Sequence, residues 1–161
     1  MTSSIVVDSS PLIILLKSGL VHILPALYET IFVPNAVWHE VLAGPEDDVA
    51  RKRLPSIDWI TRISVPSELP DIDYQKLGKG EAEVIFFAFG SSDVSVLLDD
   101  AAARSFALSK RLKIVGTGGL LVRAKREGLI ESFSDAMRAV RNAGLWVSPE
   151  LEMTLRKKAG E

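Results

Sequence analysis

The 161 residues contain no cysteine and only two histidines, His22 and His39. Without cysteine there are no disulfides, thiolate zinc sites or cysteine nucleophiles, and an intracellular home is permitted. Long apolar runs are missing too: Leu12 to Leu16 falls far short of the roughly 20 residues a bilayer span needs. The first strand-like run, at Ile5, has no basic flank of the kind a signal peptide carries. The expectation is a soluble, cytoplasmic protein with no export signal and no membrane contact. No internal repeat, low-complexity segment or linker interrupts the chain. With 47% hydrophobic and 25% charged residues, its size suits one compact domain over residues 1–161.

The charge that is present is unevenly placed. Residues 1–100 carry 7 Lys/Arg against 15 Asp/Glu, a balance of −8, and residues 101–161 carry 12 against 6, a balance of +6. Acidic ligands in one part and basic groups in another suit a protein that holds a metal while attracting phosphate. The plainer reading is a set of solvated helix faces, for which Lys125-Arg126 and Lys157-Lys158 are ordinary examples.

Strand-like and helix-like segments alternate. Ile5-Val6-Val7 is a β-branched run, and Ser9-Ser10-Pro11 opens a helix that Gly19 should close. A second helix is expected over Leu20 to Tyr28, a strand at Ile31-Phe32-Val33, and a third helix from Pro34 to near Gly44. The stretch from Pro45 to about Tyr74 is irregular, with room for a short helix and a strand near Trp59 to Val65. A helix follows Gly78-Lys79-Gly80, then a strand at Val94 to Leu98 and a helix from Ala101 to about Leu112. A strand at Lys113-Ile114-Val115 leads through Gly116-Thr117-Gly118-Gly119 into a further helix, and residues 129–143 and 149–158 complete the set. Successive βα units predict a three-layer α/β/α sandwich around a mainly parallel sheet.

In such a sheet, ligands bind beyond the carboxyl ends of the strands. Asp8 directly follows the first strand and Asp99-Asp100 a later one. Glu40 borders the apolar stripe of the third helix, and Glu81 stands at a helix start after two glycines. Carboxylates within about 4 Å repel by roughly 4 kcal/mol per pair at an effective dielectric near 20, so such a group is tolerable mainly around cations. Each acid also suits a plainer role. Asp8 or the Asp pair could cap a helix, Glu40 could lie on a surface, and Glu81 could answer a helix dipole. Arg104 is one turn from Asp100 and placed to pair with it. Glu83, about 200° round the helix from Glu81, is expected in solvent.

Taken in order, four strings resemble the PIN-domain nuclease family, and within it a subgroup related to VapC-like toxins. They are Ile5-Val6-Val7-Asp8-Ser9-Ser10-Pro11, then Val33-Pro34-Asn35-Ala36-Val37-Trp38-His39-Glu40-Val41-Leu42, then Leu77-Gly78-Lys79-Gly80-Glu81-Ala82-Glu83, and last Leu97-Leu98-Asp99-Asp100-Ala101-Ala102-Ala103-Arg104. Val115-Gly116-Thr117-Gly118-Gly119-Leu120 follows them. The resemblance spans about residues 4–145 and leaves residues 146–161, with Trp146 and a helix after Pro149, as an extension suited to dimerisation or a partner. It implies cleavage of single-stranded RNA dependent on Mg²⁺ or Mn²⁺, with Asp8, Glu40, Glu81 and Asp99 or Asp100 as the metal-site acids. Aligning Leu98 with a threonine of the toxin pattern favours Asp100, and the strand end favours Asp99; the expectation is Asp100 as the ligand, with Asp99 beside it. Glu81 stands where that pattern usually has aspartate.

On this reading Asp8 coordinates directly or as a bridge, and the other acids hold metal-bound water or orient the nucleophile. Ser9, Arg104 and Thr117 position water or phosphate. His39, beside Glu40, is expected to point away. The function expected is a toxin ribonuclease, homodimeric and restrained by an antitoxin protein. The alternative is a silent PIN-like module that binds nucleic acid or protein. A phosphoacceptor domain fits poorly because Ser9 and Ser10 stand where further acids would be needed. The glycine string fits neither the P-loop nor the dinucleotide fingerprint.

Overall fold

The computed structural model describes residues 3–66, 69 and 72–161. Part of the stretch expected to be irregular, at residues 67, 68, 70 and 71, lies outside them. Five strands form one all-parallel sheet in the order β3-β2-β1-β4-β5. These are β1 (Ser4–Val7), β2 (Thr30–Pro34), β3 (Ile60–Ile63), β4 (Val94–Leu97) and β5 (Lys113–Val115). β1 is central and Ile5, Val6 and Val7 are fully buried, as a strand covered by helices on both faces must be.

The helices α1 (Ser9–Ser18), α2 (Ile23–Leu27), α3 (Asn35–Leu42) and α4 (Val49–Arg53) precede α5 (Lys79–Phe89). They are followed by α6 (Ala101–Ser109), α7 (Thr117–Arg126), α8 (Phe133–Asn142) and α9 (Pro149–Lys158). α5 packs on α3 and across β1, β2 and β4, while α1 packs against α4 and α8, and α7 against α8 and α9. The result is the sandwich that the alternating pattern predicts. Among the described residues no helix is long and apolar enough to cross a membrane.

α2 is shorter than expected. Gly19 adopts φ +78° and closes α1, with the Leu20 N–H returning to the Leu15 carbonyl at 3.0 Å. That reversal uses Leu20 in ending one helix, so the next cannot begin until Ile23.

The strand order decides where a site can form. From β1 the chain moves outward to β2 and β3, then returns to the other side of β1 for β4 and β5. The reversal leaves a crevice beyond the carboxyl ends of β1 and β4. Val7 pairs with Leu97, and Leu97 with Val115. The Asp8 N–H continues the ladder to the Leu97 carbonyl at 3.1 Å, and the Leu98 N–H to the Val115 carbonyl at 3.0 Å. Asp8, Leu98 and Gly116 therefore stand level at one edge.

Candidate active site

Asp8 occupies the N-cap position of α1 in extended conformation, yet its side chain makes no capping hydrogen bond. It is 3% exposed, and its Oδ1 is buried with no partner. Burial is the main force raising its carboxyl to about pKa 7; the charges of Glu81, Glu40 and Asp99 add to it, and the Ser9 N–H opposes it. A buried, unpartnered carboxyl oxygen is costly. Asp8 is thus held at the end of β1 without the structural compensation that a capping aspartate would have.

The other acids are each held by a specific donor. Glu40 Oε2 accepts from Ser9 Oγ at 2.6 Å, and its Oε1 accepts from the Gly80 N–H at 3.0 Å. Gly80 makes this approach possible, because a Cβ there would lie 2.5 Å from Glu40 Oε1. Glu81 Oε1 accepts from the Gly78 N–H at 3.0 Å. Gly78, at the N-cap of α5, has no side chain to offer, so Glu81 and Glu40 between them occupy the positive end of that helix. Burial raises the Glu81 carboxyl above its usual range, with Asp100 and Glu40 adding to the effect and the Gly78 N–H opposing it.

Glu83 does not face solvent. It is 8% exposed, and its Oε1 accepts from the Ala36 N–H at 3.1 Å. The reason is that the N-cap of α3 is Pro34, whose side chain cannot cap. The helix packed against α3 supplies the missing acceptor.

The Asp99-Asp100 pair divides its labour. Asp99 Oδ1 accepts from the Thr117 N–H at 2.8 Å, and its Oδ2 accepts from Thr117 Oγ1 at 2.5 Å. Thr117 is fully buried behind it, so this threonine orients an acid and does not line the cleft. Asp100 caps α6, accepting from the Ala103 N–H at 2.9 Å. Arg104 does not reach Asp100; its Nη1 donates to the Leu98 carbonyl at 2.9 Å. Gly116 lets it pass, since a Cβ there would sit 2.7 Å from that nitrogen.

Asp8, Ser9, Glu40, Glu81, Asp99 and Asp100 line one cleft of about 390 Å³, and among the described residues no lysine or arginine lines it with them. Arg104 and Thr117 lie outside it, and His39 is exposed. Sequence reasoning assigned no role here to Ser10 or Trp146, which also line the cleft. Ser10 follows Asp8 by two residues and was readable as a neighbour. Trp146 was not, since its position depends on how α8 and α9 pack.

Among the described residues no three acidic side chains stand so as to grip one ion between them. The bonds above explain it: Glu40, Glu81, Asp99 and Asp100 are each turned onto a protein donor. Asp8 adds a buried Oδ1 with no hydrogen-bond partner. Mg²⁺ suits such a donor set, because it takes one or two carboxylates, keeps several waters and leaves positions for substrate phosphate. The residues fit a hard divalent cation centred on Asp8.

A family model described as a PIN domain matches residues 4–161. The chain therefore belongs to the PIN-domain family, whose fold is nuclease-like and whose members are generally metal-dependent nucleases. A search of curated proteins found no match.

Proposed function

We propose that this PIN domain is an endoribonuclease that uses Mg²⁺ or Mn²⁺ to hydrolyse single-stranded RNA. The observation that carries the reading is Asp8, a buried carboxyl with one oxygen unpartnered, facing a cleft otherwise lined by four more acids. A divalent cation held here would neutralise charge and lower the pKa of a bound water, so that hydroxide would be available to attack phosphorus. Asp8 Oδ1, buried and unpartnered, would hold it directly. Ser9 Oγ and the Gly80 N–H fix both oxygens of Glu40, and Thr117 fixes both oxygens of Asp99. Held carboxylates cost no reorganisation when substrate arrives. Asp99 is our choice over Asp100 for the innermost acid of that pair, because it follows the end of β4 with both oxygens fixed by Thr117, whereas Asp100 serves as the N-cap of α6. Glu81, with its carboxyl raised by burial, is the group suited to take a proton from water.

The reading extends to a cytoplasmic, homodimeric toxin of a toxin–antitoxin pair, restrained by an antitoxin protein. Its support is the motif resemblance and the basic character of residues 101–161. The test incubates the purified protein with varied single-stranded RNAs and Mn²⁺, beside Asp8→Asn and an EDTA control. Metal-dependent cleavage lost in Asp8→Asn is expected. Cleavage that survives both controls would overturn the mechanism. No cleavage by the wild type would favour a binding module that keeps the fold without the chemistry.

A further inference from the structure

A second cleft, of about 630 Å³, adjoins the acidic one and shares Asp99, Leu145 and Trp146 with it. The two differ in charge. Among the described residues Asp99 is the only acid lining the second, where Arg104, Arg123 and Lys158 are the cations. Arg123 is committed to Glu127, the Leu27 carbonyl and the face of Tyr28. Arg104 spends one nitrogen on the Leu98 carbonyl, and among the described residues no carboxylate pairs with it or with Lys158.

Trp146 stands where the clefts meet and is 83% exposed. Its neighbours Leu145 and Val147 pack onto the core, so alternation along the link between α8 and α9 turns the indole outward. Both ends of the link are fastened. Gly144, at φ +119°, lets the Leu145 N–H reach the Val140 carbonyl at 3.0 Å, and Ser148 caps α9 through the Leu151 N–H at 3.1 Å. The ring is thus presented from a pinned support. An exposed aromatic ring beside cations is the pattern by which proteins stack bases and track a phosphate backbone.

We infer that the second cleft binds the part of a single RNA strand flanking the scissile phosphate, with a base stacked on Trp146 and phosphates on Arg104 and Lys158. This deepens the ribonuclease reading and rests on it for the strand's origin. Charge complementarity favours RNA over a protein: an acidic cleft that would take a cation and one phosphate opens into a cationic cleft suited to the next.

The test separates binding from cleavage. Anisotropy of a labelled, phosphorothioate-linked single-stranded RNA would be titrated with the wild type, Trp146→Ala, Trp146→Phe and Lys158→Gln in Mg²⁺, beside cleavage assays on ordinary RNA. Trp146→Ala is expected to weaken binding about tenfold, with Trp146→Phe retaining most of the affinity. Lys158→Gln is expected to lower the slope of log affinity against log salt by about 0.7. Affinity unchanged in Trp146→Ala, while the wild type still cleaves, overturns the cleft assignment and leaves the nuclease standing. Trp146-dependent binding without any cleavage supports the cleft and sinks the nuclease. A shift from dimer to monomer in Trp146→Ala with RNA affinity intact makes the surface a protein interface and also overturns the assignment.

Discussion

Glu40 and Glu83 cap each other's helices. Glu40 reaches from α3 to the Gly80 N–H in α5, and Glu83 returns from α5 to the Ala36 N–H in α3. Neither helix has an N-cap side chain able to do this for itself, since the N-cap of α3 is Pro34 and that of α5 is Gly78. The exchange ties one wall of the acidic cleft to the packing of two helices.

Gly80→Ala tests the close approach. Alanine in a helix normally gains up to about 1 kcal/mol over glycine. Here the added Cβ would fall 2.5 Å from Glu40 Oε1 and the carboxylate must leave the Gly80 N–H. The expected result is a lower thermal midpoint despite the better helix former, with loss of nuclease activity. A rise in midpoint would show that Glu40 moves aside at no cost.

Glu83→Leu is expected to destabilise by about 1–3 kcal/mol, because it leaves the buried Ala36 N–H without an acceptor. Glu83→Gln keeps an acceptor oxygen and should cost much less. Urea midpoints of the two variants decide it; equal losses would mean that the charge at the α3 terminus, and not the hydrogen bond, matters.

Asp8 makes stability depend on pH. Its carboxyl sits at about pKa 7 in the fold against 3.8 for an ordinary aspartate, so between those values the folded state binds the extra proton. Metal-free stability should therefore fall as pH rises through this window, by about 1.4 kcal/mol per unit and about 4 kcal/mol at most. Asp8→Asn removes the penalty, so its thermal midpoint should exceed the wild type's at about pH 8 and converge with it near pH 4. Mg²⁺ or Mn²⁺ should raise the wild-type midpoint more at the higher pH, because a cation competes with the proton, and should not raise the variant's. A difference between the two proteins that does not change with pH would refute this account.

Thr117→Val preserves shape but removes the hydroxyl that holds Asp99 Oδ2. Partners that orient a ligand typically matter by about 10- to 100-fold in metal affinity or activity. Activity should fall in that range and recover at raised Mn²⁺, while Thr117→Ser stays near wild type. Wild-type activity in Thr117→Val at limiting metal would show that the Thr117 N–H alone holds Asp99.

Much of the architecture follows from local pattern. The β-branched run Ile5-Val6-Val7 and the apolar run Val94 to Leu98 identify buried strands, and βα alternation makes them parallel, so Asp8 and Asp99 had to reach the same edge. Other features depend on contacts between distant segments. Glu83 looked solvent-facing because helical periodicity describes one helix by itself, and its burial follows from α3 lying against α5 with an uncapped terminus. Asp99 and Asp100 are chemically alike neighbours; only the positions of Thr117 and the α6 terminus separate the held acid from the cap. Arg104 had Asp100 one turn away, but Gly116 opened a path to the Leu98 carbonyl instead. Trp146 lies far along the chain from the acids, and the packing of α8 and α9 brings it to their cleft. Composition and periodicity determined the strands, most of the helices and the edge where acids gather, because those are set by near neighbours. Which carboxyl is left unpartnered, which are held and what stands beside them was decided by the tertiary structure, because a hydrogen bond depends on which donor the fold brings within about 3 Å.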